Sequence, residues 1–355
     1  MKTASSLECH PLGTHRVLEP LGAMPQEAWR LDNTPAAGPN EILCDVEVLN
    51  IDSASFKQIA GVCEFDAGRI GDHIFENVRA RGKQHNPVTG SGGMFVGRIR
   101  EIGDELRGRI DLEAGDRIAS LVSLTLTPLH LEAVTHVDVA TARVWVRGTA
   151  VIFSSGLWAR LPADIDEGVA LAVLDVAGAP AQVRQLCSPG QTVAIVGADG
   201  KSGILACAQA KERVGPSGRV IGVVPDAQTR GAALLRELGY VDELIVADAR
   251  NAVVASGAVA AAAPQGADLV VNCVNVPGTE LCSILCARDR GTIYFFSMST
   301  SFTAAALGAE GVGRDVTMII GNGYTKGHAQ IALQTLRDRP RLLEHFNATY
   351  ARNAP

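Results

Sequence analysis

Runs of lysine and arginine are missing from this 355-residue chain, and 32 basic against 38 acidic residues give a formal charge of −6. That balance excludes nucleic acid as a bulk electrostatic partner. Aromatic residues are few, 5% of the chain, so no aromatic-studded basic stripe offers stacking for bases. No apolar stretch has the length and helical continuity of a membrane span: 117–132 is broken by Pro128, and the alanine-rich 252–263 is too short. Met1-Lys2-Thr3-Ala4-Ser5-Ser6-Leu7-Glu8 lacks the apolar core of a secretory leader. The eight cysteines are scattered; only Cys282 and Cys286 stand close, and no histidine pair accompanies them. A disulfide framework and a metal knuckle are therefore excluded. The expectation is a cytoplasmic protein with reduced thiols, no nucleic-acid partner and no membrane.

What is present suits an ordinary globular enzyme: 47% hydrophobic and 20% charged residues, and a length that fits two domains. The informative stretch is Thr192-Val193-Ala194-Ile195-Val196-Gly197-Ala198-Asp199-Gly200-Lys201-Ser202-Gly203, a short apolar run, a glycine-studded turn and an apolar helix start. That order is the context of a dinucleotide fingerprint, in which backbone amides approach a pyrophosphate at a helix N-terminus. Gly200-Lys201-Ser202 invites a nucleotide-triphosphate loop, but that motif needs glycine where Ile195 stands. A purely structural glycine turn is the other reading. The continuation favours the cofactor: 219–225 is a second apolar run closed by Asp226, where an acidic residue holds the adenosine ribose diol. Helical 229–238, strand-like 243–246, alanine-rich 252–263, and strand-like 268–273 and 291–296 continue an alternation that implies a doubly wound parallel sheet.

Upstream the pattern is different. Residues 9–34 are irregular, with Trp29 as the expected anchor, and 41–51 alternates polar and apolar residues as a strand with one solvated face. The strand ends in Asp52-Ser53-Ala54-Ser55-Phe56-Lys57. An irregular or partly helical excursion, 61–90, carries Glu64, Asp66, His73, Glu76, Arg79, Arg81, Lys83 and His85; all but His85 read mostly as solvated surface, with one or two of them able to line a cleft. Thr89-Gly90-Ser91-Gly92-Gly93 turns into the strand from Met94, and 115–160 reads as further strand pieces. Strands first, then alternating helix and strand, give a β-rich domain followed by an α/β domain. The boundary falls at Pro162, and 327–346 reads as helical.

These segments carry a family resemblance. Glu41-Ile42-Leu43, Gly97-Arg98-Ile99, Gly115-Asp116-Arg117-Ile118, Arg160-Leu161-Pro162 and the fingerprint stand in medium-chain dehydrogenase order. Longer strings narrow it: 10–17, 31–34, 50–56, 86–94, 307–313 and 320–324 make the chain similar to the L-erythro-3,5-diaminohexanoate dehydrogenase family of lysine fermentation. The resemblance implies a barrel-like β-rich catalytic domain at 1–162, with 325–355 packing back on it, and a Rossmann domain at 163–324. It implies a small diamino-acid substrate, NAD (with NADP possible) and oxidation of a CH–NH2 group to 5-amino-3-oxohexanoate and ammonia. It also implies a homodimer or larger homo-oligomer, for which 315–320 would supply an edge strand.

Where zinc alcohol dehydrogenases of the superfamily carry a Cys, a Gly-His-Glu and a second Cys, this chain has Asp52, Gly92-Gly93-Met94 and Asp175. The four-cysteine structural loop is also missing, so no metal is expected. Asp52 then becomes the foremost catalytic candidate, as holder of a substrate ammonium or as proton acceptor; its bland alternative is a helix or turn cap. Ser53, Ser55, Lys57 and Glu64 complete the catalytic candidates. The cofactor candidates are Gly197, Asp199, Gly200, Lys201, Ser202, Gly203, Asp226, Arg230, Asn275, Ser297, Met298 and Asn322, with Arg219 and Arg230 as possible partners for a 2′-phosphate. A zinc-free NADPH quinone or enoyl reductase, and a non-catalytic dinucleotide sensor, are the alternative functions.

Overall fold

The computed structural model describes residues 9–351 apart from 89 and 322, and apart from the side chains of 53 and 54. The chain divides after Leu161 into two compact units.

In the first unit, β1 (Val17–Glu19) and β2 (Arg30–Leu31) form a small antiparallel pair over Ala28. Trp29 is not the anchor: its ring is half exposed, and the Arg81 guanidinium lies 5.9 Å from its centre. Next come β3 (Glu41–Asn50), α1 (Ser53–Val62), α2 (Ala67–Arg81), β4 (Met94–Ile102), β5 (Arg117–Ser120), β6 (Leu129–Asp138), β7 (Arg143–Phe153) and β8 (Trp158–Arg160). They build an antiparallel sheet in the order β6-β7-β3-β4-β5-β8. β7 and β4 pair with the two edges of β3, and both of its faces carry buried residues: Ile42 and Cys44 join the main core, while Leu43 packs with Val151 and Phe153. The expected solvated face shrinks to Asp45 and Glu47, which meet Arg100 and the pair Arg98 and Arg117.

The excursion at 61–90 takes in the end of α1, a tight corner, all of α2 and the loop that follows it. On α2, Ile70, Ile74 and Val78 recur every four residues and are buried, a helical stripe that packs on β6.

The second unit contains α3 (Glu167–Leu174), α4 (Gly178–Leu186), β9 (Thr192–Val196), α5 (Lys201–Val214), β10 (Arg219–Val224), α6 (Arg230–Glu237), β11 (Glu243–Val246), α7 (Ala252–Ala262) and β12 (Ala267–Asn272). It continues with α8 (Glu280–Cys286), β13 (Ala287–Phe295), α9 (Phe302–Val312), β14 (Thr317–Ile320), α10 (His328–Arg337) and α11 (Pro340–Tyr350). The strands are parallel, in the order β11-β10-β9-β12-β13-β14. Numbered from β9, that is the 3-2-1-4-5-6 order of a dinucleotide-binding fold, whose ligand crevice opens where the order reverses, between β9 and β12. The terminal helices belong to this unit, against the expectation that 325–355 returns to the first: α10 packs on α3, α4 and α5, and α11 on α3 and α10. No helix among the described residues is long and apolar enough to cross a membrane.

Candidate functional site

At the switch point, Gly197 has φ 80°, a backbone state that side-chain-bearing residues rarely adopt. A methyl group on it would lie 3.0 Å from the Val274 side chain, so this turn touches the loop leaving β12. Gly203 lets α5 close on the turn: a methyl group there would stand 2.1 Å from the Gly197 carbonyl oxygen. Gly200 differs. A methyl group on it would meet only that same oxygen, at an ordinary 3.7 Å, so the protein's own packing does not demand glycine. Gly200 also caps α5 without a side-chain hydrogen bond. Open space above the amides of a helix N-terminus fits an anionic ligand.

The remaining cofactor candidates sort by what they touch. Asp199 accepts a hydrogen bond from Thr229 Oγ1 at 2.8 Å, joining the glycine turn to the start of α6. Asp226 is exposed just beyond β10, and its Oδ1 accepts the Gln228 amide at 2.8 Å. Arg230 is exposed in the first turn of α6. Arg219 stands at the opposite end of β10, paired with Glu243 at 2.7 Å, and a six-residue strand of about 3.3 Å per residue keeps it from Asp226. It is removed from the ribose-phosphate candidates. Ser297 Oγ lies 3.4 Å from Asn275 Oδ1, bringing together the ends of β12 and β13. Met298 beside them is 90% exposed. Ser202 is buried, and its hydroxyl bonds the Cys273 thiol; burial pushes that thiol up to about 12 while the bond acts the other way. Its side chain therefore serves the protein interior. Lys201 Nζ donates to Asp175 at 2.7 Å. Asn322 lies outside the described residues.

In the first unit, Asp52 does cap α1: its Oδ1 accepts the Ser55 amide at 2.9 Å. Its second oxygen is buried and has no hydrogen-bond partner among the described residues. The cap and the site candidate thus use different atoms of one carboxylate. Ser55 is buried, its carbonyl bonded by Asn86 Nδ2 at 3.3 Å, so it supports the loop rather than facing solvent. Lys57 is exposed. Glu64 lies beyond the far end of α1, exposed and paired with Arg69 at 2.6 Å; α1 spans about 15 Å at 1.5 Å per residue, so Glu64 does not meet Asp52. The side chain of Ser53 and all of Thr89 lie outside the described residues.

Sequence reasoning counted Lys83 as surface. It is fully buried, with Nζ donating to the carbonyls of Pro25 and Gln26 at 2.8 and 3.0 Å. Burial, with Arg81 adding, pushes its pKa down to about 8. His85, named within the same excursion but given no role, has an Nδ1 that is buried without a partner among the described residues. Nothing in a polar run announces either, since distant segments do the covering. Among the described residues no three His, Cys, Asp or Glu side chains converge as a metal site would require.

The family model for the L-erythro-3,5-diaminohexanoate dehydrogenase N-terminal domain matches residues 15–162. The chain is 52% identical over 339 residues to the L-erythro-3,5-diaminohexanoate dehydrogenase of Acetoanaerobium sticklandii, covering 95% of this chain and 98% of that one. It is 50% identical, with the same coverage, to the protein of that name from Fusobacterium nucleatum. Among solved structures it resembles the CurK enoyl reductase, with TM-score 0.53 and 16% identity over 91% of this chain and 83% of that one. A mycobacterial quinone oxidoreductase gives TM-score 0.51 and 18% identity over 88% and 81%. A mycobacterial protein complexed with NADPH gives TM-score 0.52 and 16% identity over 90% and 84%. At these identities the structural likeness concerns fold alone.

Proposed function

The chain belongs to the L-erythro-3,5-diaminohexanoate dehydrogenase family, and from that premise we propose that it oxidatively deaminates 3,5-diaminohexanoate at C3 with a nicotinamide cofactor. The observation that carries the reading is identity of 50–52% across 95% of the chain with two dehydrogenases of that name. The reductases share the fold at 16–18% identity, so a quinone or enoyl reductase is not favoured, nor is a sensor without activity.

The net reaction takes the diamine, oxidised cofactor and water to 5-amino-3-oxohexanoate, ammonia, reduced cofactor and one proton. The bound nicotinamide supplies the hydride acceptor. Gly197, Gly200 and Gly203 present the α5 N-terminus to its pyrophosphate, and the Asp226 carboxylate suits an unphosphorylated ribose diol, which favours NAD. The substrate's C3 amine must be neutral before hydride leaves, so the chain has to receive one proton and keep bulk water out until transfer. Asp52 offers its unpartnered oxygen to an ammonium group of the substrate.

The assembly we propose is a homo-oligomer located in the cytoplasm. The free edge of β14, with Ile320 58% exposed, is the kind of edge that a second copy covers.

The experiment is a substrate panel. Reduced nicotinamide should form with the diamine and not with simple alcohols or common α-amino acids. Oxidation of NADPH by a quinone, with no response to the diamine, would replace this reading with the reductase.

A further inference from the structure

Asp52 Oδ2 and His85 Nδ1, both buried and without partners among the described residues, belong to one small piece of the first unit. After α2, the loop folds back on the helix that Asp52 caps. The His85 carbonyl accepts from Asn77 Nδ2 at 3.1 Å. The next residue, Asn86, donates through Nδ2 to Gln58 Oε1 at 2.8 Å and to the Ser55 carbonyl at 3.3 Å. The returning strand of the loop is glycine on both sides of this contact. A methyl group on Gly93 would lie 2.9 Å from the Asp52 amide nitrogen, and one on Gly92 would lie 2.4 Å from the Gln84 carbonyl oxygen. Gly92 and Gly93 thus pack directly on the backbone of Gln84 and of Asp52, which brings the chain before His85 and the start of α1 against the same dipeptide.

Both orphan atoms suit the role of acceptor. A carboxylate has no hydrogen to give. The imidazole stays neutral at physiological pH, because burial first, then Arg81 and Lys83, push its pKa down to about 4; its Nδ1 then carries a lone pair in the Nε2–H tautomer. The missing partner is a group with several N–H donors on one centre, and the carboxylate selects for positive charge. An ammonium group meets both demands.

Resting on the diamino-acid reading above, we propose that Asp52 Oδ2 and His85 Nδ1 together seat the C5 ammonium of the substrate, the amino group that does not react. The C3 nitrogen fits this seat poorly. A neighbouring carboxylate stabilises the charged form of an amine, whereas the C3 amine has to shed its proton before hydride can leave. The group that stays charged throughout is the one at C5. The seat then acts as the specificity device that distinguishes a diamine from a monoamine of the same chain length.

The test compares kcat/KM for 3,5-diaminohexanoate and for 3-aminohexanoate, which lacks only the C5 amine. The wild type should favour the diamine by about 10²-fold or more, as a site built for a hydrogen-bonding group does. Asp52→Asn and His85→Leu should each lower kcat/KM for the diamine by a factor about tenfold or more larger than for the monoamine, and so lose most of that preference. His85→Asn, whose amide oxygen can stand where Nδ1 stood, should keep more of it than His85→Gln, whose amide reaches the Nε2 position. That pair decides the matter if His85→Leu fails to fold, as judged by the fluorescence of Trp29, Trp145 and Trp158, which all lie in the same unit. Equal losses on both substrates would overturn the seat and make the residues general contributors to chemistry or folding. An unchanged preference in His85→Leu would also overturn it. A wild type that binds a nicotinamide cofactor but oxidises neither amine would defeat the diamino-acid reading itself; one that oxidises both equally would defeat only the seat.

Discussion

Arg16 and Glu41 face each other as a buried fork: Nε and Nη2 reach the two carboxylate oxygens at 2.8 and 2.6 Å. Glu41 also accepts from His15 and the Gly38 amide, and Arg16 donates to the carbonyls of Thr34 and Ala36. The pair ties the irregular segment before β3 to the sheet. Burial by itself would raise the Glu41 carboxyl, but the bonds from Arg16, Gly38 and His15 outweigh it and hold the group below the usual carboxylate range.

Glu41→Gln should therefore cost the first unit about 3–5 kcal/mol at neutral pH, the usual loss when one partner of a buried ion pair is removed. A depressed carboxyl stabilises the fold above its unfolded value and stops doing so as pH falls through the folded one. The gap between wild type and Glu41→Gln in urea should close only in acid, below about pH 4.3. Tryptophan fluorescence reads this unit alone, since Trp29, Trp145 and Trp158 all lie in it. An unchanged midpoint at pH 7 would contradict the role.

Lys83 predicts a slope of the same sign in the alkaline range. Its folded pKa, about 8, lies below the ordinary lysine value because burial disfavours the charge. The unfolded state then binds more protons between the two values, so stability should rise with pH from about 8 to about 10.4. Lys83→Met should remove that rise from the same fluorescence-monitored urea curves. Parallel curves for the two proteins would show that the ammonium is not held dry.

Gly203 and Gly200 should part ways. Gly203→Ala drives a methyl group into the Gly197 carbonyl and should lower thermal stability by an amount typical of overpacking, about 1–3 kcal/mol. Gly200→Ala meets no obstacle inside the protein and should melt normally while binding the cofactor at least about tenfold more weakly, because the backbone can no longer approach the pyrophosphate. Normal cofactor affinity in Gly200→Ala would remove the open turn from the binding site.

The Rossmann half was legible because most of its strands contain a short apolar run, with a glycine turn after the first, as at Val193–Val196 before Gly197. A local signal for α2 is present, since Ile70, Ile74 and Val78 keep a helical period, but the intervening charges obscure it and 61–90 reads only as irregular or partly helical. What could not be read was the outcome of distant packing. Lys83 is buried because the 25–26 carbonyls close on its ammonium, and Arg219 leaves the cofactor pocket because strand direction sends it to the other end of β10. The two oxygens of Asp52 show the same limit: capping is written in the spacing to Ser55, while the orphaned Oδ2 depends on what the 84–93 loop covers.

Cofactor choice follows from that geometry. Asp226→Ala should shift the ratio of NAD to NADP affinity toward NADP by about tenfold or more, through loss of the ribose-diol contact and of repulsion toward a 2′-phosphate. Arg219→Ala, at the far end of the strand, should leave the ratio unchanged. A change in the ratio on removing Arg219 would contradict this placement.

The most direct measurement of the central claim is product stoichiometry in one vessel: reduced nicotinamide and free ammonia followed together as purified protein, 3,5-diaminohexanoate and oxidised cofactor react. Oxidative deamination predicts that the two rise in a one-to-one ratio, at a rate that depends on the diamine concentration. Reduced nicotinamide without ammonia, or no reaction with the diamine in either cofactor form, would contradict it.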